Sequence, residues 1–221
     1  MHNSAESGSS ARVDAGPSTR EQILEAALEC FSEYGFDGAK SRAIAERAGV
    51  NVGLIKYYFD GKDPLWREAV DRAFGQLHET IDAALEDLVD LAPRDRLRVV
   101  LRRLTRFVAE KPHFTRLMND EGKRDSERMR WIVDRHERPM YLRFVELIES
   151  WGSDAPLATS TTPAHIFYLF TGALSLLFHQ APECRYLTGV DPTDPDVIDA
   201  QVDLVIALAF PEAASEQRSS S

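Results

Sequence analysis

Lys40, Ser41, Arg42, Asn51, Val52, Gly53, Lys56, Tyr57, Tyr58 and Lys62 all fall within residues 40–62. Cationic and hydroxylic side chains at this density suit non-covalent capture of phosphate oxygens and base edges. Five basic residues, Lys40, Arg42, Arg47, Lys56 and Lys62, stand against Glu46 and Asp60, a local excess of three positive charges. The chain as a whole carries −10. That sign argues against a protein that coats nucleic acid generally. It leaves room for a site-specific binder, whose docking face alone must be positive.

Covalent and metal chemistry find little support. His2, His78, His113, His136, His165 and His179 show no His-x-x-x-His spacing, and Cys30 and Cys184 form no Cys-x-x-Cys pair. His136-Glu137 could ligate a metal on paper, but a partly buried, hydrogen-bonded histidine is the commoner role. Asp191, Asp194, Asp196 and Asp199 lack the ligand spacing of a calcium loop, so Asp191 and Asp194 are expected to serve the loop and a helix cap. No glycine-rich phosphate loop or Gly-x-Ser-x-Gly turn is present. No catalytic residue, metal site or cofactor is expected.

The elements that hold the basic cluster read as helices. Ser18–Glu21 and Thr19–Gln22 each match a capping box. Ile23, Ala27, Cys30, Phe31 and Tyr34 then share one helical face up to Gly35. A second helix is expected over Ser41–Ala48, with Ser41 as a cap and Ile44, Ala45 and Ala48 inward. Gly49 makes the turn and Asn51 caps the third helix, whose Leu54, Ile55 and Tyr58 pack back while Phe59 closes the core. Tyr58 reads equally as core or as contact, and Arg47 as a solvated charge. Two short helices joined by a glycine turn, rimmed with basic residues, are the layout of a helix-turn-helix that enters a DNA major groove.

A longer helix follows from about Lys62, with Leu65, Trp66, Ala69, Val70, Ala73, Phe74, Leu77, Ile81, Leu85 and Leu88 on its apolar stripe. Pro93 breaks the pattern. Further helices are expected at about 94–110, 112–121, 126–151, 163–181 and 195–210, with 151–163 and 183–195 as loops. With 221 residues, 43% of them hydrophobic and 28% charged, the chain can bury a real core. Its most apolar segment, 164–178, is too short and too interrupted to span a bilayer. The expected organisation is all-α: residues 1–17 a disordered arm, 18–74 a three-helix DNA-binding domain, 75–211 a helical bundle, and 212–221 a disordered tail. A cytoplasmic location is expected.

Residues 19–74 resemble the DNA-binding domain of TetR-type transcriptional regulators. The matching pieces are Ile23-Leu-Glu-Ala-Ala, Phe31 with Tyr34-Gly35-Phe36, Ile44-Ala45, Ala48-Gly49-Val50, Gly53, Tyr57, Phe59, and Lys62 with Leu65. Lys111-Pro112-His113-Phe114-Thr-Arg-Leu-Met and Glu121 resemble a stretch of one subgroup. The resemblance implies that Arg42 meets a phosphate or a guanine edge, that Tyr57 and Lys62 meet phosphates, and that small Gly53 lets the backbone approach the duplex. Family members often carry Thr or Ser at Lys40, Tyr at Lys56 and His at Tyr58, so Lys56 is expected to read this chain's own site. The resemblance also implies a ligand-binding and dimerisation bundle. Arg103, Phe107, Phe114, Met118, Trp131, Phe167 and Phe170 are its candidate small-molecule contacts, although most of its aromatics would be core. Helix 163–181 is apolar nearly all round, and with helix 195–210 it is expected to pair with a second subunit, the alternative being cover within the monomer by loops or the long fourth helix. The expected function is a homodimeric, ligand-responsive regulator, most simply a repressor. A helical enzyme without DNA affinity and a helical adaptor protein are the rivals.

Overall fold

Ser18 begins the fold as a reciprocal cap. Its Oγ accepts from the Glu21 amide at 3.3 Å, and its own amide donates to Glu21 Oε2 at 2.8 Å. In this computed structural model the described residues are 18–86, 91–149 and 162–209. The expected arm, the loop at 151–161 and the tail lie outside them, as does Leu88.

Among the described residues every regular element is helical. They are α1 (Thr19–Gly38), α2 (Ser41–Arg47), α3 (Gly53–Phe59), α4 (Lys62–Glu86), α5 (Pro93–Glu110), α6 (Pro112–Glu121), α7 (Glu127–Ile132), α8 (Arg138–Glu149), α9 (Pro163–His179), α10 (Ala181–Thr188) and α11 (Pro195–Ala209). α1 is kinked at Gly35, whose φ of 67° only glycine adopts freely. Tyr34, expected on the inward face, is instead 55% exposed.

Among the described residues two large cores hold the apolar surface, beside a small cluster of Ala84 and Val100. The first joins α1–α4 to the bundle. Ile23, Ala27, Phe31, Ile44, Ile55 and Phe59 sit on Leu65, Trp66 and Phe74 of α4, and Phe107, Phe114, Leu117 and Ile132 close it from α5–α7. α4 thus belongs to both halves, which is why its stripe runs beyond what three short helices need. The second core packs Leu97 and Leu101 of α5 against Ile166, Phe170 and Leu174 of α9 and Val202, Val205 and Ile206 of α11. An ion-pair ladder lines this junction. Arg98, Arg102 and Arg106 recur every fourth residue on α5, and they meet Asp203 at 3.2 and 2.8 Å and Asp199 at 2.9 Å. Asp199 therefore leaves the acidic loop cluster to which its sequence position assigned it.

Two expectations about the bundle are corrected. The helix expected over 126–151 is interrupted by a π-helical turn, Val133–Glu137, between α7 and α8. The loop expected over 183–195 contains α10, which ends at Gly189 (φ 73°). α10 is held by Thr188 Oγ1, which donates to the Cys184 carbonyl at 2.7 Å, and by Arg185 Nη1, 3.1 Å from Asp191 Oδ1. Asp191 Oδ1 also accepts from the Thr193 amide at 3.0 Å, and Asp194 Oδ1 from the Asp196 amide at 3.0 Å. These two carboxylates serve the loop and the start of α11.

Candidate nucleic-acid interface

The turn between α2 and α3 is built by backbone chemistry. Gly49 takes φ 67°, and the Val50 amide reaches back to the Ala45 carbonyl at 2.9 Å. Asn51 then caps α3, its Oδ1 accepting from the Gly53 amide at 2.8 Å. A Cβ on Gly53 would stand 3.2 Å from that Oδ1, so a larger residue would crowd the cap. α3 ends at Asp60, whose φ of 57° is left-handed.

Within α3 the inward and outward residues separate at helical spacing. Ile55 and Phe59 are buried in the tripod core. Val52, Gly53, Lys56 and Tyr57, three and four positions apart, are exposed. Tyr57 is 78% exposed, and its ring meets Tyr58 edge-on at 5.0 Å. Tyr58 is also exposed and touches the Phe59 ring at 6.2 Å, so it bridges the rim to the core.

α2 presents Lys40 and Arg42 at its head, both exposed. Arg42 Nε bonds Glu46 Oε1 at 3.1 Å, a one-turn pair that leaves both side chains in solvent. Ser41 does not cap the helix. Lys40 occupies the capping position, and no side chain there bonds the helix amides. Lys62 opens α4 and is half-buried. Its Nζ donates to the Asp37 carbonyl at 3.3 Å and lies 4.8 Å from the Phe36 ring centre. Of the ten sequence-derived candidates, Ser41 and Lys62 are partly covered and the other eight are exposed.

Arg47 is exposed, as expected, and it is also ion-paired. Its Nη2 stands 2.8 Å from Glu33 Oε2 and its Nη1 3.7 Å from Glu29 Oε2, which ties α2 to α1. The Glu33 bond, ahead of other effects, pushes the guanidinium further toward its charged form. Glu29 and Glu33 share one face of α1 at four-residue spacing, which is the sequence signal for this tie.

The seven candidate ligand contacts do not converge on one site. Phe114 meets Phe74 edge-on at 5.0 Å and Phe107 at 5.7 Å, while Met118 and Trp131 pack on the same first core. Phe167 and Phe170 instead flank Phe144, at 5.5 and 6.1 Å. Arg103 lies half-buried on α5. A cavity of about 120 Å³ between α1, α4 and the start of α6 is lined by Leu24, Leu28, Ala73 and Phe114, and Phe114 is the one candidate it shares. Among the described residues, no three His, Cys, Asp or Glu side chains could hold a metal ion. No described helix is long and apolar enough to cross a membrane.

Comparison with known proteins agrees with this geometry. Residues 23–69 match the family described as "Bacterial regulatory proteins, tetR family". The chain is 27% identical over 152 residues to "Probable HTH-type transcriptional regulator YttP" of Bacillus subtilis, covering 69% of this chain and 73% of the relative. It is 34% identical over 99 residues to the HTH-type transcriptional repressor KstR of Rhodococcus jostii, covering 45% of each chain. The match thus spans less than half of that repressor's length. Among solved structures, the transcriptional regulator FadR of Bacillus subtilis, in complex with stearoyl-CoA, superposes with a TM-score of 0.63 at 17% identity. That superposition covers 87% of this chain and 98% of the FadR chain.

Proposed function

We infer that this chain, a member of the TetR family of transcriptional regulators by its residues 23–69, is a sequence-specific DNA-binding regulator that works as a homodimeric repressor in the cytoplasm. The carrying observation is the exposed outer face of α3, Val52, Gly53, Lys56 and Tyr57, standing on the buried Ile55 and Phe59. A helix fixed so firmly from behind can enter a major groove without reorganising. Residues 18–74 form the DNA-binding domain and 75–211 the ligand-binding and dimerisation domain. Arg42 and Tyr57 take phosphates, Lys56 reads a base edge, and Lys40, Ser41 and Tyr58 complete the rim.

Dimerisation is supported by what α9 and α11 leave bare. Tyr168, Leu169 and Leu176 of α9 and Leu204 and Leu208 of α11 are all more than half exposed. Such a surface suits a two-fold interface, and two copies would set their recognition helices roughly 34 Å or more apart on a near-palindromic site. A small molecule in the bundle releases DNA by binding more tightly to a state whose spacing no longer fits. The test is a gel shift with the gene's own upstream region across a salt series. Retention of one fragment over competitor DNA is expected, and equal retention of all sequences overturns the reading.

A further inference from the structure

Phe36, just past the kink of α1, carries two cations on one ring. Lys62 Nζ lies 4.8 Å from its centre and the Arg128 guanidinium 4.2 Å. The ring is fixed by its neighbours, stacking on Phe31 at 5.8 Å and meeting Trp66 edge-on at 6.2 Å.

The two cations are held very differently. Arg128 stands in the first turn of α7, whose start is capped by Ser126 Oγ accepting from the Met129 amide at 3.1 Å. Its Nε bonds Glu121 Oε1 at 3.2 Å, and the Glu121 side chain is only 7% exposed. Glu121 Oε2 has no other partner, so losing Arg128 would strand a buried carboxylate. Arg128 is thereby fixed to α6 and α7. Among the described residues Lys62 has only the ring and one long bond to the Asp37 carbonyl. Lys62 is the less firmly held of the two.

We propose that Arg128 is a positioning residue for DNA binding, which keeps the Lys62 ammonium available to phosphate by sharing the Phe36 ring with it. Like charges on one ring repel, and the attraction of the ring face is divided between them. With Arg128 seated, Lys62 gains by leaving for a phosphate. With Arg128 withdrawn, Lys62 settles on the ring and the phosphate contact weakens. Any shift of α6 or α7 that pulls Arg128 from Phe36 therefore lowers DNA affinity through Lys62. This rests on the DNA-binding function proposed above and adds to it a named route from bundle to duplex.

A double-mutant cycle tests it, using the full chain and a DNA site selected from random sequence. Arg128→Met should weaken binding about three- to tenfold and flatten the salt dependence by up to about one unit, as though one phosphate contact were lost. In a Lys62→Met background the same change should cost nothing further. Arg128→Lys, which restores the charge, should recover most of the loss. Should Arg128→Met fail to fold, Arg128→Met with Glu121→Gln removes the stranded charge and serves instead. Losses that multiply in the double variant, or an unchanged salt slope, overturn the proposal while leaving DNA binding intact. A wild-type chain that retains no DNA at low salt overturns the DNA-binding function itself.

Discussion

Arg47 Nη2 stands 2.8 Å from Glu33 Oε2, so the last turn of α2 is tied to α1 just before the Gly35 kink. The bond also holds the Glu33 carboxyl below the usual carboxylate range. A charge at the edge of a DNA-binding motif thus braces the motif and does not reach outward.

Arg47→Ala should therefore act on the tripod and not on base reading. The melting temperature is expected to fall by a few degrees, in keeping with a partly exposed ion pair. DNA affinity should fall modestly for every sequence, with unchanged base preference in a selection from random DNA. A changed consensus with an unchanged melting temperature would make Arg47 a reader.

Lys56 is the opposite case. It lies exposed on the outer face of α3 and, among the described residues, makes no ion pair. Lys56→Ala should relax discrimination at one position per half-site, by roughly 1–3 kcal/mol for a good direct contact. Random-site selection on both proteins measures it, and identical consensus sequences would remove Lys56 from direct readout.

The tripod was legible because its punctuation is local. Gly35, Gly49 and Asn51 announce the kink, the turn and the cap, and Ile44, Ile55 and Phe59 recur at core spacing. The α2 cap differs from the expectation because the helix begins at Ser41 itself, which leaves Lys40, with no capping oxygen, at the cap position. α10 was hidden by Pro182, Gly189 and Pro192, which read as loop. Its Tyr186 and Leu187 are 91% and 77% exposed and give it no buried stripe. The meeting of Arg128 with Phe36 could not be read at all, since a cation over a ring, 92 residues apart in sequence, leaves no spacing signature.

Charge placed on the bare face of α11 should split the proposed dimer. Leu208 is 71% exposed, and Leu204 lies one turn before it. Leu204→Glu with Leu208→Glu should give a folded monomer by light scattering, with the helical circular dichroism retained. DNA affinity should fall by at least a hundredfold, because binding both half-sites through one linked molecule is lost. A dimer that survives both changes would place the interface elsewhere.

His136 gives stability a pH dependence whose sign can be worked out. The residue lies in the π-helical turn, stacked on Phe74 at 4.3 Å and 3°, with Trp131 edge-on at 5.5 Å. Burial, the largest influence, pushes its imidazole down against the opposing pull of Asp71, whose Oδ1 is 2.8 Å from Nε2. His78 and Arg135 push it the same way as burial. In the unfolded chain the imidazole protonates near pH 6.5. In the folded chain it protonates only at lower pH, so between the two values the unfolded state binds more protons. Stability contributed by the neutral ring is therefore whole above about pH 6.5 and is lost as pH falls through the lower, folded value. Glu137, raised by burial, works with the opposite sign, so the comparison must isolate His136. Urea unfolding of the wild type and of His136→Phe at pH 7.5 and pH 5.5 does so. The wild type should lose more stability than the variant over that interval, and equal losses would show that the imidazole titrates as it does in water.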